Sequence, residues 1–490
     1  MFYPNKLLVT NKNKKTYKFN LFNKCPNMEK DGEEMDYTQA VKCYNFKASE
    51  STLTAGYGVE DLKMPLSTTD LQTEALIPIK GEEVKRLWSF TWEDKNANVL
   101  KYYIFYFNNE NQICYENLFW TRPIRTAFDT NYTSTPVGLS YSINGYDYMI
   151  FSTLDGDVYV FGSGYDKYLE GAPKLISCCT HDDRLYALTS KARRNLVYST
   201  NLNIMEWKDE DTQHLEFSDE RGNLTKVMSF NDYLYVFREF GITRISTYST
   251  SGEFSVNHIF QSTSYIEPGS IASNGEEVYF LTTDGFYSFN GNSVKEVGLE
   301  CFSQLEDLSK CSAVCFENKY YLACRMKFDD NQLGCEEGEY VNNAVLIYDI
   351  KNGNVEIVRG VDVNQLLALN NPLKSKVVMC FNGDKVGHIG QFSTGGKAFG
   401  QTMHRIWQNS FSDFGLGDGI KKVESFTIKT SAPCVITLES EKEKRVYYIT
   451  GKKETQFVKS GLVGKRVQAT IESDSDKIKI SSFNMTLSVQ

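Results

Sequence analysis

A strand–turn–strand unit that recurs along the chain is the feature that most limits how this sequence can fold. Its clearest copy is SFNDYLYVFREFGITRIS, residues 229–246, in which apolar residues occupy both alternating sets of strand positions. Further copies lie at residues 100–118, 142–164, 179–190, 273–291, 316–326 and 377–391. A strand that is apolar on both faces is covered on both sides. The repeated unit therefore predicts sheets that stack against one another.

One tyrosine in each of six copies measures the repeat, and we place it on the first strand of its unit. The markers are Tyr103, Tyr148, Tyr186, Tyr235, Tyr279 and Tyr321. Consecutive markers stand 45, 38, 49, 44 and 42 residues apart. A period of roughly 40–50 residues that contains several short strands is typical of a β-propeller blade. We therefore predict an all-β propeller of about seven blades, with six to eight allowed, and keep a set of unrelated sandwich hairpins as the alternative.

Changes in the pattern of apolar and polar residues divide the chain into three parts. Residues 1–84 form an N-terminal segment, in which residues 42–62 are a candidate strand pair for closing the propeller. Residues 85–400 contain the repeated units of the β-propeller. Residues 401–490 carry strands in which apolar and polar residues alternate, a pattern that leaves one face in water. This last part predicts a small antiparallel C-terminal β-domain that is sandwich-like.

Composition argues against several classes of protein. The chain has 62 Asp and Glu against 53 Lys and Arg, and this acidic balance disfavours nucleic-acid binding as the main function. No apolar run reaches the roughly 18 residues of a membrane-spanning segment, and the first residues lack the pattern of a signal peptide. The twelve cysteines are irregularly spaced. We therefore expect reduced, mostly buried thiols in a protein made in the cytoplasm.

The sequence offers no motif for catalysis, metal binding or cofactor binding. Its five histidines are not paired at a ligand spacing: His181, His214, His258, His388 and His404. Cys311 and Cys315 lack a second pair at zinc-finger spacing. The acidic stretch 329–340 fails as a calcium loop, because Leu333 and Tyr340 stand where oxygen ligands are required. We therefore predict no catalytic, cofactor or metal residues and no enzyme activity, while an unsignalled carboxylate pair stays open.

Five stretches carry a resemblance to a known family. They are FNKCPNMEKDGEEMDYTQAVKCYNFKASESTLTAGYGVEDL (22–62), NLVYSTNLNIMEWKDEDTQHLEF (195–217), NLTKVMSFNDYLYVFREFGITRIS (223–246), YIEPGSIASNGEEVYFLTTDGFYSFNG (265–291) and WQNSFSDFGLGDGIKKVESFTIKT (407–430). In their order and residue patterns, these stretches resemble the β-propeller virion proteins of tailed bacteriophages, of the tail nozzle or head-stabilisation type. The resemblance covers most of the chain and brings no active-site residues with it.

The resemblance implies a structural protein of the virion, located in the tail or neck and assembled in the cytoplasm of the bacterial host. Copies would form a homo-oligomeric ring, such as a nozzle or hub, that contacts portal, adaptor or other tail proteins. Packaged DNA would pass through the ring during ejection without sequence-specific binding. The acidic balance fits this passage, because a negative lumen would let DNA slide past without adhering.

A propeller that recognises a glycan or protein on the host surface is the alternative function. Such a module would present exposed aromatic residues on one loop face, and the candidates are Trp88, Trp92, Trp120 and Trp207. Packing between blades is the competing explanation for the same four residues, because blades also bury large aromatic side chains. The position and exposure of these side chains distinguish the two explanations.

Overall fold

The structure, a computed structural model, consists of β-strands, turns and three short 3-10 helices in its described residues. It describes residues 14–19, 36–49, 52–65, 74–76, 83–94, 99–118, 125–127, 132–143, 145–153, 158–162, 165–169, 172–200, 203, 206–207, 213–247, 253–328, 340–369, 375–451 and 454–489. The 3-10 helices are Pro268–Ser270, Phe302–Gln304 and Gly383–Lys385. No helix in these ranges has the length and apolar character that crossing a membrane requires. The predicted all-β class is confirmed.

The described part of the N-terminal segment forms seven short strands. They are β1 (Lys14–Lys18), β2 (Ala40–Tyr44), β3 (Phe46–Ala48), β4 (Leu53–Ala55), β5 (Gly58–Asp61), β6 (Lys63–Pro65) and β7 (Glu74–Leu76). Strands β6 and β7 pair only with each other, as an antiparallel ladder. The other five strands join sheets formed by later parts of the chain. The N-terminal segment is therefore divided among several sheets.

Within the described residues, seven groups of four strands form the blades of the propeller, which we number in chain order. Five of these groups are separate sheets, and two are parts of larger sheets. Blade 1 contains β8 (Arg86–Asp94), β9 (Val99–Phe107), β10 (Ile113–Leu118) and β11 (Arg125–Ala127); blade 2 contains β12 (Val137–Ile143), β13 (Tyr146–Ser152), β14 (Val158–Gly162) and β15 (Tyr165–Leu169); blade 3 contains β16 (Leu175–His181), β17 (Arg184–Thr189), β18 (Asn195–Tyr198) and β19 (His214–Glu216); blade 4 contains β20 (Leu224–Phe230), β21 (Tyr233–Arg238), β22 (Gly241–Thr247) and β23 (Phe254–Gln261). Blade 5 contains β24 (Ala272–Ser273), β25 (Val278–Leu281), β26 (Phe286–Phe289) and β27 (Val294–Glu296); blade 6 contains β28 (Ser312–Phe316), β29 (Lys319–Cys324), β30 (Ala344–Asp349) and β31 (Val355–Arg359); blade 7 contains β32 (Val363–Leu369), β33 (Lys376–Phe381), β34 (Ile389–Ser393) and, from the N-terminal segment, β5.

Blade 7 closes the ring with a strand taken from the other end of the chain. Strand β5 pairs antiparallel with β34, with Gly58 opposite Ser393. The first strand of blade 7 in turn packs against the first strand of blade 1. The seven blades agree with the predicted propeller of about seven. Of the candidate pair in residues 42–62, β5 completes blade 7, whereas β2 to β4 bury most of their apolar side chains in a second domain.

The marker tyrosines lie on the second strand of their blades, one strand later than the sequence suggested. Second strands are covered by the blades on both sides, so they carry apolar residues on both faces. Tyr235 shows this arrangement, since it is only 1% exposed and its hydroxyl donates a 2.9 Å hydrogen bond to the carbonyl of Gly291 in blade 5. Phe237 of the same strand packs edge-on against Phe280, also of blade 5. The sequence period is therefore the spacing of second strands.

The first and second strands of a blade are connected at one end of the propeller, which we name the hairpin face. In blades 3, 4 and 6 both central residues of the turn have positive φ: Asp182–Asp183, Asn231–Asp232 and Glu317–Asn318. Two consecutive positive φ values are typical of the type I′ turn, whose twist matches that of the flanking strands. The turns of these three blades therefore lie on one face of the propeller, and their central side chains are acidic or amide.

The first strands surround the axis of the propeller, and each leaves one edge without a neighbouring strand. Four polar side chains on these strands reach the backbone of the next blade, and we name them latch residues: Ser177, Lys226, Ser312 and Gln365. Three of the four directly follow a β-bulge in their strand. Buried backbone groups need hydrogen-bond partners. The latch residues supply them where strand pairing cannot.

Gln365 makes the most complete latch, and it lies at the junction between the last blade and the first. Its Oε1 accepts a 2.7 Å hydrogen bond from the Leu87 amide, and its Nε2 donates a 3.0 Å bond to the Leu87 carbonyl. Gln365 is 5% exposed. The ring is thus closed twice, by the β5 backbone and by this side chain.

Nine strands follow the last blade. They are β35 (Lys397–Ala398), β36 (Gln401–Thr402), β37 (Arg405–Asn409), β38 (Lys421–Thr430), β39 (Cys434–Ser440), β40 (Lys444–Ile449), β41 (Gln456–Gly464), β42 (Val467–Ser473) and β43 (Lys479–Val489). Strands β35 and β36 extend the sheet of blade 7, and the other seven form a sandwich with β1 to β4. One sandwich sheet contains β1, β3, β4, β43, β38 and β41, and the other contains β2, β37, β42, β39 and β40.

The core of the sandwich combines both ends of the chain. Tyr17 and Leu53 from the N-terminal strands lie in one buried cluster with Trp407, Ile436 and Met485. The C-terminal β-domain that we predicted from residues 401–490 therefore includes strands from residues 14–55 as well. Alternation along the late strands marks one wet face, but it carries no information about which distant strands fill the remaining places in the sheets.

Candidate functional site

A continuous sheet joins the propeller to the sandwich. Strand β31 at the outer edge of blade 6 pairs parallel with β2, and a nine-stranded sheet results. Asn45 lies at this seam in the left-handed region, with φ of 57°. Its side chain donates 2.8 Å to the carbonyl of His404 and accepts 2.9 Å from the Arg359 amide. Because one buried amide binds both domains, the seam is expected to be rigid.

A second set of contacts at the seam is ionic. Lys397 on β35 lies 3.2 Å from the carboxylate of Asp476 in the sandwich. His404, which precedes β37, has Asp474 at 2.8 Å from Nδ1 and Glu472 at 3.3 Å from Nε2. The hydrogen bond with Glu472, opposed by burial and supported by Asp474, raises the pKa of His404 above its ordinary value. The two carboxylates therefore favour the charged form of the imidazole.

A pocket of about 300 Å³ opens on the hairpin face, over blades 2 to 4. Tyr141, His181, Asp182, Arg184 and Ser229 are among the residues that line it. The ring of His181 is 8% exposed, and burial lowers its pKa, so the imidazole is neutral near pH 7. Its Nδ1 shares a 2.8 Å hydrogen bond with the hydroxyl of Ser229. The pocket thus contains a serine hydroxyl bonded to a neutral imidazole.

Such a contact is also how hydrolases activate a serine nucleophile, and a carboxylate then orients the imidazole. Here the carboxylate of Asp182 stands 3.5 Å from His181 Nε2, which is longer than an orienting hydrogen bond. Ser229 lies on the first strand of blade 4 and His181 on that of blade 3. We therefore interpret the contact as a further bridge between neighbouring blades.

Two cations lie on first strands, towards the end opposite the hairpin face. Among the described residues of the seven first strands, the acidic and basic residues, histidine included, are Arg86, Glu93, Asp94, His181 and Lys226. Glu93, Asp94 and His181 lie at the hairpin end of their strands. Burial, and next the positive charge of Arg86, lowers the pKa of Lys226 to about 8, while its Nζ donates a 2.6 Å bond to the carbonyl of Ile271. The channel of one propeller therefore carries two interacting cations.

A buried ion pair supports the connection between blades 3 and 4. Arg238 is fully buried, with Nη1 at 2.5 Å from the carboxylate of Asp219 and Nη2 at 2.8 Å from the carbonyl of Gly222. Burial raises the pKa of Asp219, but hydrogen bonds from Arg238 and Arg221 hold it well below its usual value. His258 Nε2 lies 4.0 Å from the same carboxylate. The cluster therefore stabilises the connection between the two blades.

The tryptophans named as candidates do not converge on one loop face. Trp88 is 7% exposed and packs edge-on against Phe151, with ring centroids 5.1 Å apart. Trp92 is half-buried with Lys101 over its ring, and Trp207 packs against the core between blades 2 and 3. Trp120 lies outside the described residues. The three described side chains thus contact blade cores or their edges.

The remaining sequence candidates are placed as follows. The ten cysteines in the described ranges are free, and eight of them are buried. Burial raises the pKa of Cys43, Cys178 and Cys380 to about 12. No group of three metal-ligating side chains occurs in the part of the chain that the structure describes. The rejected calcium loop falls almost entirely outside the described residues, which resume at Tyr340.

Sequence reasoning missed the environment of His404. Its two carboxylates lie 68 and 70 residues further along the chain, so no local spacing connects them. The run ESDSD at residues 472–476 was the available signal, because three acidic side chains at alternate positions share one direction along an extended chain. A cationic partner for that run could have been expected, but not identified.

No protein-family model and no curated protein matches this chain. Solved structures match it in shape. BBS1N in its complex with ARL6DN, soaked with mercury, has 9% identity and a TM-score of 0.42, covering 69% of this chain and 99% of that one. BamB from Moraxella catarrhalis has 8% identity and a TM-score of 0.38, covering 71% and 93%. The Pan2 WD40 domain of Neurospora crassa has 8% identity and a TM-score of 0.40, covering 64% and 90%. These similarities concern the fold alone.

Proposed function

We propose that this chain is a structural component of a bacteriophage virion and forms a ring with copies of itself in the tail or neck. The five stretches that resemble phage β-propeller proteins, spread from residue 22 to residue 430, suggest this role. DNA would pass through the ring during ejection, and neighbouring portal, adaptor or tail proteins would contact its two ends. The chain would act through its shape and surfaces rather than through a reaction.

The observation that carries the proposal is the single block formed by both domains. The nine-stranded sheet and the buried Asn45 connect propeller and sandwich without a linker. A rigid block whose two ends differ suits the head-to-tail contacts that close into a ring. A chain with a hinge between its domains would allow many angles between neighbours, and one ring size would not be favoured.

Charge asymmetry also supports head-to-tail contacts. Residues 401–490 carry 14 Lys and Arg against 10 Asp and Glu, whereas the whole chain carries 53 against 62. The sandwich strands are therefore basic and the remainder is acidic. Opposite charges on the two parts would guide the sandwich of one copy towards the propeller of the next.

The proposal assigns DNA to the lumen of the ring and not to the channel of one propeller. Arg86 and Lys226 place two cations in that channel, and a cationic wall would hold a polyanion rather than release it. The acidic surface of residues 1–400 is the part of the chain that suits the lumen. A ring whose lumen is basic would contradict this assignment.

Electron microscopy and native mass spectrometry of the purified protein test the proposal. We expect closed rings of one copy number at low salt, weakened at high salt because charge guides the contacts. A matched charge-reversed variant, Lys442→Glu with Lys444→Glu, should form fewer rings while keeping its circular dichroism spectrum. A protein that stays monomeric at every concentration and salt tested, and that antibodies fail to find on phage particles, would refute the proposal.

A further inference from the structure

The outer face of one sandwich sheet carries a highly exposed tyrosine. We define the outer face as the side of the sheet β2-β37-β42-β39-β40 that points away from the sandwich core. Tyr448 on β40 is 83% exposed, and Val446, two residues earlier on the same face, is 47% exposed. Strand β40 is the last strand of its sheet. Native proteins usually cover or blunt an apolar edge, so an aromatic side chain here suggests a binding role.

Strand pairing sets what stands beside this ring. Tyr448 lies opposite Val435 on β39, and Val435 lies opposite Glu472 on β42. All three side chains share the outer face, because the alternate residues of these strands fill the sandwich core. The distance from β40 to β42 is two strand spacings, or about 10 Å. An aromatic ring, an aliphatic floor and a carboxylate therefore follow one another across the sheet.

These residues line a pocket of about 430 Å³. The residues that line it include Tyr448 and Ile449 on β40, Val435 on β39 and, on or near β37 and β42, the polar residues His404, Glu472 and Asp474. Binding sites for small molecules combine an apolar surface with a few polar groups that fix orientation. This pocket has that division, with the apolar part at the sheet edge and the polar part at the seam between the domains.

The polar side of the pocket favours a neutral ligand over a cation. His404 already contacts both carboxylates, with Asp474 at 2.8 Å and Glu472 at 3.3 Å, so the imidazole, whose charged form they favour, offsets part of their negative charge. Each carboxylate offers about four lone-pair sites and uses only some of them on His404. The side chain of Asp474 is 74% exposed. Hydroxyl donors can therefore reach these oxygens, whereas the attraction for a free ammonium group is weakened.

We propose that this pocket binds a saccharide, with one pyranose ring stacked on Tyr448 and its hydroxyls donating to Glu472 and Asp474. A pyranose has a face of C–H groups, which packs on an aromatic ring, and a rim of hydroxyls, which seeks acceptors. The pocket presents the matching surfaces in the matching order. The site lies on the sandwich, away from the tryptophans of the propeller, and it does not depend on whether the chain forms a ring.

A glycan microarray that displays hexoses and N-acetylhexosamines tests the proposal. Wild type is compared with Tyr448→Ala, Tyr448→Phe and Phe457→Ala. Phe457 is the matched control, because it is 61% exposed on an edge strand of the opposite sheet. We expect Tyr448→Ala to lower binding roughly tenfold, as the loss of one aromatic stack implies. Tyr448→Phe keeps the ring and should bind like wild type, as should Phe457→Ala.

Three results would overturn the proposal. The first is the absence of retention of wild type by every glycan on the array. The second is retention that Tyr448→Ala leaves unchanged or that Phe457→Ala reduces equally. The third is that Tyr448→Ala alters the oligomeric state in light scattering but leaves glycan binding intact, because the tyrosine would then contact a second copy. Each variant is first checked for an unchanged thermal unfolding curve, which all three should show because both side chains are exposed.

Discussion

The propeller and the sandwich are both β-structures of similar strand length, but they are assembled by different rules. Six of the seven blades take all four strands from one continuous stretch of chain. The sandwich combines strands from residues 14–55 with strands from residues 405–489. The first design is local and repeated, and the second is non-local and occurs once. The blades could be predicted from the sequence because each blade is a local, repeated pattern, whereas the strand partners in the sandwich could not.

The sharpest test of this comparison uses two positions that are six residues apart. Val59 is 1% exposed in blade 7, and Leu53 is fully buried in the sandwich. Val59→Asp and Leu53→Asp each place a carboxylate in an apolar core, which costs several kcal/mol. We expect each variant to lose cooperative unfolding in calorimetry, since each strand completes a sheet that depends on it.

The shared nine-stranded sheet adds a second expectation. Because β2 connects blade 6 to the sandwich, wild type should unfold in one calorimetric transition. Two separate transitions would mean that the domains are independent, and the rigid block would have to be abandoned. Lys47→Ala serves as the control variant, because Lys47 is an exposed residue on β3, the strand that follows β2 in the chain.

The propeller and the sandwich each contain a buried cationic side chain, and they stabilise it in different ways. Arg238 in the propeller pairs with the carboxylate of Asp219. Lys421 in the sandwich donates to the carbonyls of Gly417, Gly419 and Lys465 instead. Asp219→Asn should lower the free energy of unfolding by about 3 kcal/mol, because it leaves a buried guanidinium without its counter-ion.

Lys421→Met removes the charge together with its desolvation cost, and we expect a smaller loss of about 1–2 kcal/mol from the three carbonyls left without a donor. Both variants are measured by urea denaturation at pH 7. An Asp219→Asn loss smaller than that of Lys421→Met would contradict the order that we assign to the two cations.

The latch residues give a smaller effect that is confined to the propeller. Gln365→Leu keeps the approximate volume but leaves the Leu87 amide and carbonyl without partners, and we expect a loss of about 2 kcal/mol. Ser312→Ala removes a single 3.0 Å bond to the Leu366 amide and should cost about 1 kcal/mol. Urea denaturation followed by tryptophan fluorescence measures both losses. Equal losses would show that the ring closure is not specially stabilised.

The smallest effects concern two histidines with opposite dependence on pH. The pKa of His404 is raised in the fold, so its stabilising contribution is complete below about 6.5 and is lost as pH rises through the raised value. The pKa of His181 is lowered, so its contribution is complete above about 6.5 and is lost as pH falls. Urea denaturation of His404→Gln and His181→Asn from pH 5 to 8 measures the difference.

We expect His404→Gln to lose more stability at pH 5.5 than at pH 8, by about 1 kcal/mol, and His181→Asn to show the reverse order. His214→Asn is a control, because His214 lies in neither cluster. The same pH dependence in both variants would mean that one of the two environments is wrongly described.

The all-β class, the propeller and the number of its blades could be predicted from the sequence because a blade is a local unit. The spacing of the marker tyrosines gave the correct period although these residues lie on second strands and not on first strands. The displacement by one strand is the same in every blade, so the spacing does not change. The partners of β2 and β5 could not be predicted, because Tyr44 and Gly58 find their neighbours some 300 residues away. The exposure of Tyr448 could not be predicted either. The alternation of apolar and polar residues shows which residues share a face, but not whether another element covers that face.

The closure of blade 7 by β5 has a consequence for how the protein is made. Gly58 leaves the ribosome about 335 residues before its partner Ser393. At roughly 5–20 residues per second, the nascent chain waits on the order of tens of seconds with β5 and β2 unpaired and with β3 and β4 paired only with each other. Soluble yield should therefore depend on chaperones that shield the beginning of the chain until its end arrives.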